Sequence, residues 1–456
     1  ILPGSSIRWV HREAEERYAV LLAELDGLIA DAAAALATGE GWSVLNAGPF
    51  PRLEVVDVGG SPELVSAPAL GAGSVVSVVD SGVAPVKLAD TDSGWVIDNA
   101  LIQVRIDRLG NVTGIRDLPV GRDLLAGGRV GNVLQLHDDV PNKWDAWDVD
   151  AHYRNRVTDL VSADSVVVEE SGPLRGVVRV CRSVGSTSIV QRLVVRAGSE
   201  RLDVVTDIDW QETEKLLKVA FPLDVHALVE SAEIQFGHVQ RPTHVNTSWD
   251  TARFEVPAHR WIHVGEPGFG VAIVTDTTYG HDVSRTTEAG GSTTTTVRLS
   301  LLRAPVKPDP LADRGRHRFT YGIAPAATVL DAARHGYEIN LPLRVAPYAI
   351  DRPPLVRVER TSGPPSALVE AIKLADGPSG DVVIRLYEAA GARTSARLHC
   401  AFPVEEVAEC DLLEEPLLDD GVEHRPAPGQ SGTESQPIDV DVRPFQVTTL
   451  RVTCRS

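Results

Sequence analysis

Apolar residues recur at helical spacing near the start of the chain and at strand spacing nearly everywhere after it. Ile7, Val10, Ala14, Tyr18, Leu21, Leu22, Leu25, Leu28, Ile29 and Ala32 fall on one stripe, with Glu13, Glu15, Glu16, Arg17 and Glu24 between them. Pro3-Gly4 stands before this stretch, Ser5 or Ser6 can cap its first turn, and Thr38-Gly39 can stop it. The spacing predicts one long amphipathic helix over residues 7–37. At ~1.5 Å per residue its apolar stripe runs on the order of 45 Å, so it needs a partner surface. No second segment of the chain has the pattern of its helical mate.

From Trp42 onward the pattern changes to short runs rich in Val, Ile and Thr, punctuated by Gly, Pro, Asn and Asp. Ile102, Val104 and Ile106 alternate with Gln103, Arg105 and Asp107, and Leu109-Gly110-Asn111 supplies a turn into Val112-Thr113-Gly114-Ile115, which predicts a hairpin with one wet face. Leu202, Val204, Thr206, Ile208 and Trp210 define another strand, with Asp203, Asp207 and Asp209 on its opposite side. Gly270-Val271-Ala272-Ile273-Val274 reads as a fully buried strand. The expected fold is mainly β: one long helix, then antiparallel sandwiches. Composition shifts divide it into a helical segment (1–41), a small β domain (42–88), a large sandwich (89–350) and a C-terminal sandwich (351–456). Pro353-Pro354 and Gly363-Pro364-Pro365 mark the last boundary, and the polar, Pro/Gly/Ser-rich residues 421–436 read as a mobile loop.

At 456 residues the chain is long enough for two to four domains, and 43% hydrophobic with 23% charged residues is ordinary for a globular protein. Lys and Arg number 44 against 63 Asp and Glu, a formal charge of −19, and no basic run breaks that acidity. Nucleic acid and anionic membrane surfaces are therefore poor partners, and a neutral ligand fits better. No apolar run approaches the roughly 20 residues that span a bilayer, and no basic-then-apolar leader opens the chain. Cys181, Cys400, Cys410 and Cys454 are scattered without a Cys-x-x-Cys spacing, so the expected location is the reducing cytoplasm. The chain holds no Met and opens at Ile1, so it is expected to be a trimmed, processed or misannotated piece.

Residues 132–153 are chemically the richest stretch, for they set Trp144 and Trp147 among Asp145, Asp148 and Asp150. Indole faces suit the C–H faces of a pyranose and ionised Asp suits its hydroxyls, while the plainer reading is a half-buried loop with satisfied carboxylates. Residues 236–261 form a second such stretch, with Trp249 and Trp261, and fit a binding surface or an inter-domain contact equally. His238, His244, His259, His263 and His281 crowd this region without a metal-binding frame, and His11 and Glu15 on one helix face read as solvated surface, so no metal is assigned to the chain. Asp138-Asp139, Asp145, Asp148, Asp309 and Asp313 are candidates for a glycosidase's two carboxylates, although such residues more often cap turns. No nucleophile elbow, Walker loop or dinucleotide fingerprint occurs.

These segments resemble glycoside hydrolase family 38, the zinc-dependent α-mannosidases, in its bacterial form. The resemblance rests on Ile1-Leu2-Pro3-Gly4-Ser5-Ser6-Ile7 with the helix after it, and on the Trp144-Asp145-Ala146-Trp147-Asp148 core of residues 132–150. It extends through Arg241-Pro242-Thr243-His244 to Trp261, Leu302-Arg303-Ala304-Pro305 to Pro308-Asp309-Pro310, residues 313–317, Phe319-Thr320-Tyr321 and residues 382–388. It implies a retaining glycosidase of α-linked mannose in glycans and oligosaccharides, whose N-terminal barrel holds zinc, nucleophile and acid/base. Those ligands precede the Ile-Leu-Pro-Gly segment in such enzymes, so none is carried over to a residue here, and the chain alone is expected to be inactive. It makes the long helix the remnant of a helical bundle. It implies a large sandwich similar to that of aldose mutarotases, lying against the absent barrel and closing the sugar pocket, with Trp147, Asp148, Arg303 and Asp313 as the substrate-binding choices. A homo-oligomer is left open. The alternative is a free-standing carbohydrate-binding sandwich or a mutarotase-like protein, working with neither metal nor nucleophile.

Overall fold

The computed structural model describes residues 7–287, 290–417 and 437–454; the polar loop expected at residues 421–436 and the capping Ser5 and Ser6 lie outside these. The first helix spans Arg8–Ala35, and Ala33 is its one buried residue. Ala33 rests on Ala346 and Ile350, while Trp9, Tyr18, Leu21, Leu25 and Leu28 stay exposed. The apolar stripe is therefore present and, among the described residues, has no helical mate. The helix root is tied down where Thr38 donates through both its N–H and its hydroxyl to the Ala349 carbonyl, at 2.8 and 3.0 Å.

Every strand pairing is antiparallel. A five-stranded sheet runs Arg52–Val58, Ser61–Ala67, Gly71–Val75, Ser43–Asn46 and Arg344–Ala346, so a strand from far along the chain closes the small N-terminal unit. A second five-stranded meander follows from Lys87–Thr91 to Arg122–Asp123, with the hairpin at Ile102–Asp107 and Val112–Asp117 as the alternation requires. Asp107 makes its turn by accepting the N–H groups of Leu109 and Asn111, with Gly110 at φ +79°.

The centre of the molecule is a six-stranded and a nine-stranded sheet. The six-stranded sheet runs Val157–Asp159, Val133–Asp138, Lys215–Leu223, Thr293–Arg303, Gly280–Thr287 and Val256–Pro257. In the nine-stranded one, Leu202–Trp210 pairs Gly315–Pro325, which pairs Phe269–Thr275, and all of Phe269–Thr275 is buried. Both sheets and the meander share one apolar core, in which Val104, Val219, Phe221, Leu299, Val204 and Ile323 are buried. Phe221 meets Tyr321 edge-on across the layer at 6.1 Å. The Tyr321 hydroxyl donates to Asn132 Oδ1 at 2.7 Å and accepts from Gln191 Nε2 at 2.8 Å, while Arg182 donates to Gln191 Oε1 at 3.0 Å. This polar network lies within the dry layer, with only the Arg182 Nε left without a partner among its bonded groups, and it ties one sheet to the other.

A second long helix, Val329–Asn340, lies inside the region whose alternation predicts strands alone; Thr328 and Asp331 form its capping box. It seats Ala332 and Ala333 on Trp261, and a Cβ at Gly336 would come within 2.8 Å of the indole. Glu338 on this helix receives Arg201, which also binds Asp203, so Asp203 is buried rather than wet as the strand pattern predicts. The C-terminal sandwich, a three- and a four-stranded sheet with its own core around Ile384, Leu386, Leu398 and Leu450, docks through Phe236 on Tyr387 and His238 on Phe445. Tyr321→Phe strands Asn132 and Gln191 without their buried partner and should cost about 1–3 kcal/mol, read as a lower urea midpoint at unchanged slope.

Candidate functional site

Residues 140–156 leave the strand Val133–Asp138 and return to pair with it through Val157–Asp159, Gln135 opposite Asp159. Pro141, Asn142 and Lys143 break the alternation and turn the chain outward. The Trp147 and Asp148 N–H groups both donate to the Trp144 carbonyl, at 2.7 and 2.9 Å, with Trp144 itself at φ +59°. The turn brings the two indoles together at 5.9 Å between centroids and 20° between planes, yet leaves Trp144 66% and Trp147 56% exposed. They flank a cavity of about 560 Å³ shared with Glu214, Lys307 and Pro308.

The neighbouring carboxylates divide into two kinds. Asp145 accepts the Val306 and Lys307 N–H groups at 2.8 and 2.9 Å, and Asp150 accepts that of Asn142 at 2.7 Å, so both are consumed in holding the loop. Asp148 is exposed, its carboxylate bonding the adjacent Val149 N–H at 3.1 Å. Arg303, at the end of its strand, donates to the buried Asp139 carboxylate and to the Asp148 carbonyl. Burial pushes the Asp139 carboxyl up against the opposing pull of that guanidinium. The structure thus brings Trp147, Asp148 and Arg303 together, with Arg303 acting as a strut.

Asp313 lies apart from that group. It is exposed at φ +56°, its carbonyl accepting from His317 Nε2 at 2.6 Å, in a cleft of about 500 Å³ between residues 305–317 and the first turns of the helix. Lys307 and Pro308 line both cavities and separate them. Asp309, beside Asp313, accepts backbone N–H groups from Leu311 and Arg8 that hold it below the usual carboxylate range, and Asp138 pairs with Lys215.

The second rich stretch splits in two. Trp249 is 77% exposed on the short helix Ser248–Ala252, whereas Trp261 is buried under Val329–Asn340. His238 stands at the contact with the C-terminal sandwich, as an inter-domain reading requires. His263 bonds the Ala326 carbonyl at 3.0 Å, His281 bonds Glu230 at 3.1 Å and His259 stacks on Tyr279. Among the described residues no three His, Cys, Asp or Glu side chains converge as metal ligands would, so the residues present do not fit a zinc site.

A buried cluster beneath the tryptophan loop went unread in the sequence. Lys218 is wholly buried and lies 2.6 Å from both Glu255 and Asp282 and 3.1 Å from the Tyr153 hydroxyl. Burial alone would lower this ammonium, but Asp282 and Glu255 hold it above its ordinary range. His137, edge-on to Tyr153 at 5.1 Å, is buried with both ring nitrogens unpartnered, and that burial with the Lys218 charge holds it down to about 4. The available signal was a lysine inside the apolar run Leu216-Leu217-Lys218-Val219-Ala220-Phe221.

Residues 97–311 match the C-terminal domain of glycosyl hydrolases family 38, and residues 366–450 match the C-terminal β-sandwich domain of the same family. The chain belongs to glycosyl hydrolase family 38. It is 37% identical over 449 residues to human Alpha-mannosidase 2C1, covering 91% of this chain and 41% of that protein, and 35% identical to the mouse protein of the same name, covering 100% and 44%. Alpha-mannosidase G of Dictyostelium discoideum is 33% identical, over 72% of this chain and 31% of its own length. The chain spans less than half the length of these curated relatives. An α-mannosidase structure from Enterococcus faecalis superposes with a TM-score of 0.61 at 16% identity, over 91% of this chain and 51% of that one, a likeness of fold. The two rich segments, residues 132–153 and 236–261, both lie inside the first family match.

Because the native state disfavours the His137 imidazolium, the unfolded chain takes up that proton first. Stability contributed by this site is complete above about pH 6.5 and drains away as pH falls toward about 4. Urea midpoints at pH 7.5 and 5.0 should therefore differ less for His137→Phe than for the parent chain; equal differences would clear His137 of the titration.

Proposed function

We propose that this chain is the C-terminal portion of a retaining α-mannosidase acting on α-linked mannose in glycans and oligosaccharides, and that its sheets form the wall that closes the sugar site. The observation that carries the reading is the 37% identity, across 91% of the chain, to a protein named as an α-mannosidase. In this reading the four units divide as residues 1–41, 42–88, 89–350 and 351–456. A catalytic barrel docks against the first helix and the 305–317 cleft. Zinc, which the resemblance implies for the complete enzyme, would be held outside the described residues.

Trp147 and Asp148 then meet the sugar, an indole face against C–H groups and a carboxylate against hydroxyls. Arg303 acts by fixing the Asp148 backbone, and Asp313 bounds the site from the neighbouring cleft. Four unpaired cysteines support a cytoplasmic location, and among the described residues no helix is long and apolar enough to cross a membrane.

The test is an assay of the whole protein containing this chain on aryl α- and β-mannosides. Turnover of the α-mannoside alone, abolished by chelation, is expected. Trp147→Ala should lower kcat/KM about tenfold, equivalent to about 1.4 kcal/mol. The isolated chain should turn over neither substrate. A whole protein inert toward every α-mannoside overturns the reading, and saturable binding of glucose or galactose by the isolated chain favours a free-standing sugar-binding sandwich.

A further inference from the structure

We propose that Lys218 is the positioning residue of the tryptophan loop: its buried ammonium, gripping the Tyr153 hydroxyl and Glu255, sets where Trp144 and Trp147 stand. Residues 140–156 have almost no apolar hold on the molecule, since Tyr153 is the one buried residue among them. A loop that exposes two tryptophans and buries one tyrosine takes its place from polar anchors. Asp145 and Arg303 fasten its outer half to residues 303–307. The inner half ends on the Lys218 cluster.

Strand geometry explains why a lysine sits there. Leu217 and Val219 point into the shared core, so Lys218 points to the opposite face of the six-stranded sheet. Register places Gln135 and Ser300 directly beside it, and sets Arg298 opposite Asp282 on the next row. Tyr153 comes down onto this face. Its hydroxyl lies 3.1 Å from Lys218 Nζ and 3.1 Å from Glu255, and the ammonium lies 5.3 Å from the centre of its ring. Arg154, next in sequence, reaches Asp282 at 3.3 Å and donates to the Phe254 carbonyl. Phe254 and Glu255 close the segment that carries Trp249, so one ammonium fastens both exposed aromatic loops. Burying an ammonium costs several kcal/mol, and a site needing only bulk would be filled by an apolar side chain.

The sheet itself does not depend on this contact. Without Lys218, Asp282 keeps Arg298 at 2.9 Å and Arg154 at 3.3 Å, and Glu255 keeps Ser300 and partial access to solvent. The effect of removal therefore falls on the loop. That the loop matters for sugar rests on the function proposed above; that Lys218 positions it does not.

The test uses the full chain. The stacked Trp144 and Trp147 should give an exciton couplet in far-ultraviolet circular dichroism, assigned by its disappearance in Trp144→Phe. Lys218→Met should lose more than half of the couplet while unfolding remains cooperative. Tyr153→Phe, which keeps the ring and removes the hydroxyl, should weaken the couplet as well, and it decides the matter if Lys218→Met fails to fold. A parent chain without a couplet, or variants that both keep it in full, overturn the assignment. In the whole enzyme Lys218→Met should raise KM for an α-mannoside more than it lowers kcat. A lost couplet with unchanged kinetics upholds Lys218 as the anchor and counts against the sugar-site reading, so the two failures are distinguishable.

Discussion

The six-stranded and nine-stranded sheets each turn one face toward a common dry layer, where Phe221 meets Tyr321 and Val219, Leu299, Val204 and Ile323 are buried. That constraint decides where every other side chain on those strands can go, because successive residues point to opposite faces. A one-residue slip of Lys215–Leu223 would drive Lys218 into the core and Val219 out of it. The Tyr321, Gln191, Asn132 and Arg182 network holds the two sheets in the single register that avoids this. Lys218 and its polar neighbours Gln135, Asp282, Arg298 and Ser300 are thereby gathered on the outer face of the six-stranded sheet, under the tryptophan loop.

Such a face is costly to leave bare and costly to cover. Gln135, His137, Lys218, Asp282, Arg298 and Ser300 cannot be met by apolar groups without stranding charge, so the cover must be polar as well. Residues 140–156 and 253–256 supply that cover with Tyr153, Arg154 and Glu255. The same loop then has its apolar surface on the outside, which is why Trp144 and Trp147 face solvent. The exposure of Trp144 and Trp147 follows from what lies beneath them.

Strand periodicity was the legible part of the fold. Ile102, Val104 and Ile106, the fully buried Phe269–Thr275 and the amphipathic helix all stand where hydrophobic spacing puts them. What spacing could not reveal is what covers a given face. Asp203 shares its side of the strand with Asp207 and Asp209, yet it alone is buried, since Arg201, held by Glu338 of the helix Val329–Asn340, pairs with it. Trp261 disappears under the same helix, which its flanking His and Arg residues did not announce, although Thr328 and Asp331 spelled its cap. At the site, the reading of carboxylates as satisfied by backbone N–H groups holds for Asp145, Asp150 and Asp309, while Asp148 stands exposed beside the Val149 N–H it bonds. Arg303 was found by resemblance, but its strut geometry depends on Asp139 and a backbone carbonyl that no motif encodes. Lys218 was visible as an oddity in an apolar run, and its partners Tyr153, Glu255 and Asp282 come from three distant segments.

One further consequence lies in the closure of the small sheet by Arg344–Ala346, whose partner Ser43–Asn46 is made far earlier. During synthesis the open edge of Ser43–Asn46 must wait for roughly 300 residues to be added, on the order of 15–60 s at about 5–20 residues per second. Throughout that interval the nascent chain presents unpaired backbone groups next to an uncovered greasy helix. The ribosome-bound intermediate, more than the finished molecule, is the state in which this polypeptide is most exposed to mispairing and to capture by chaperones.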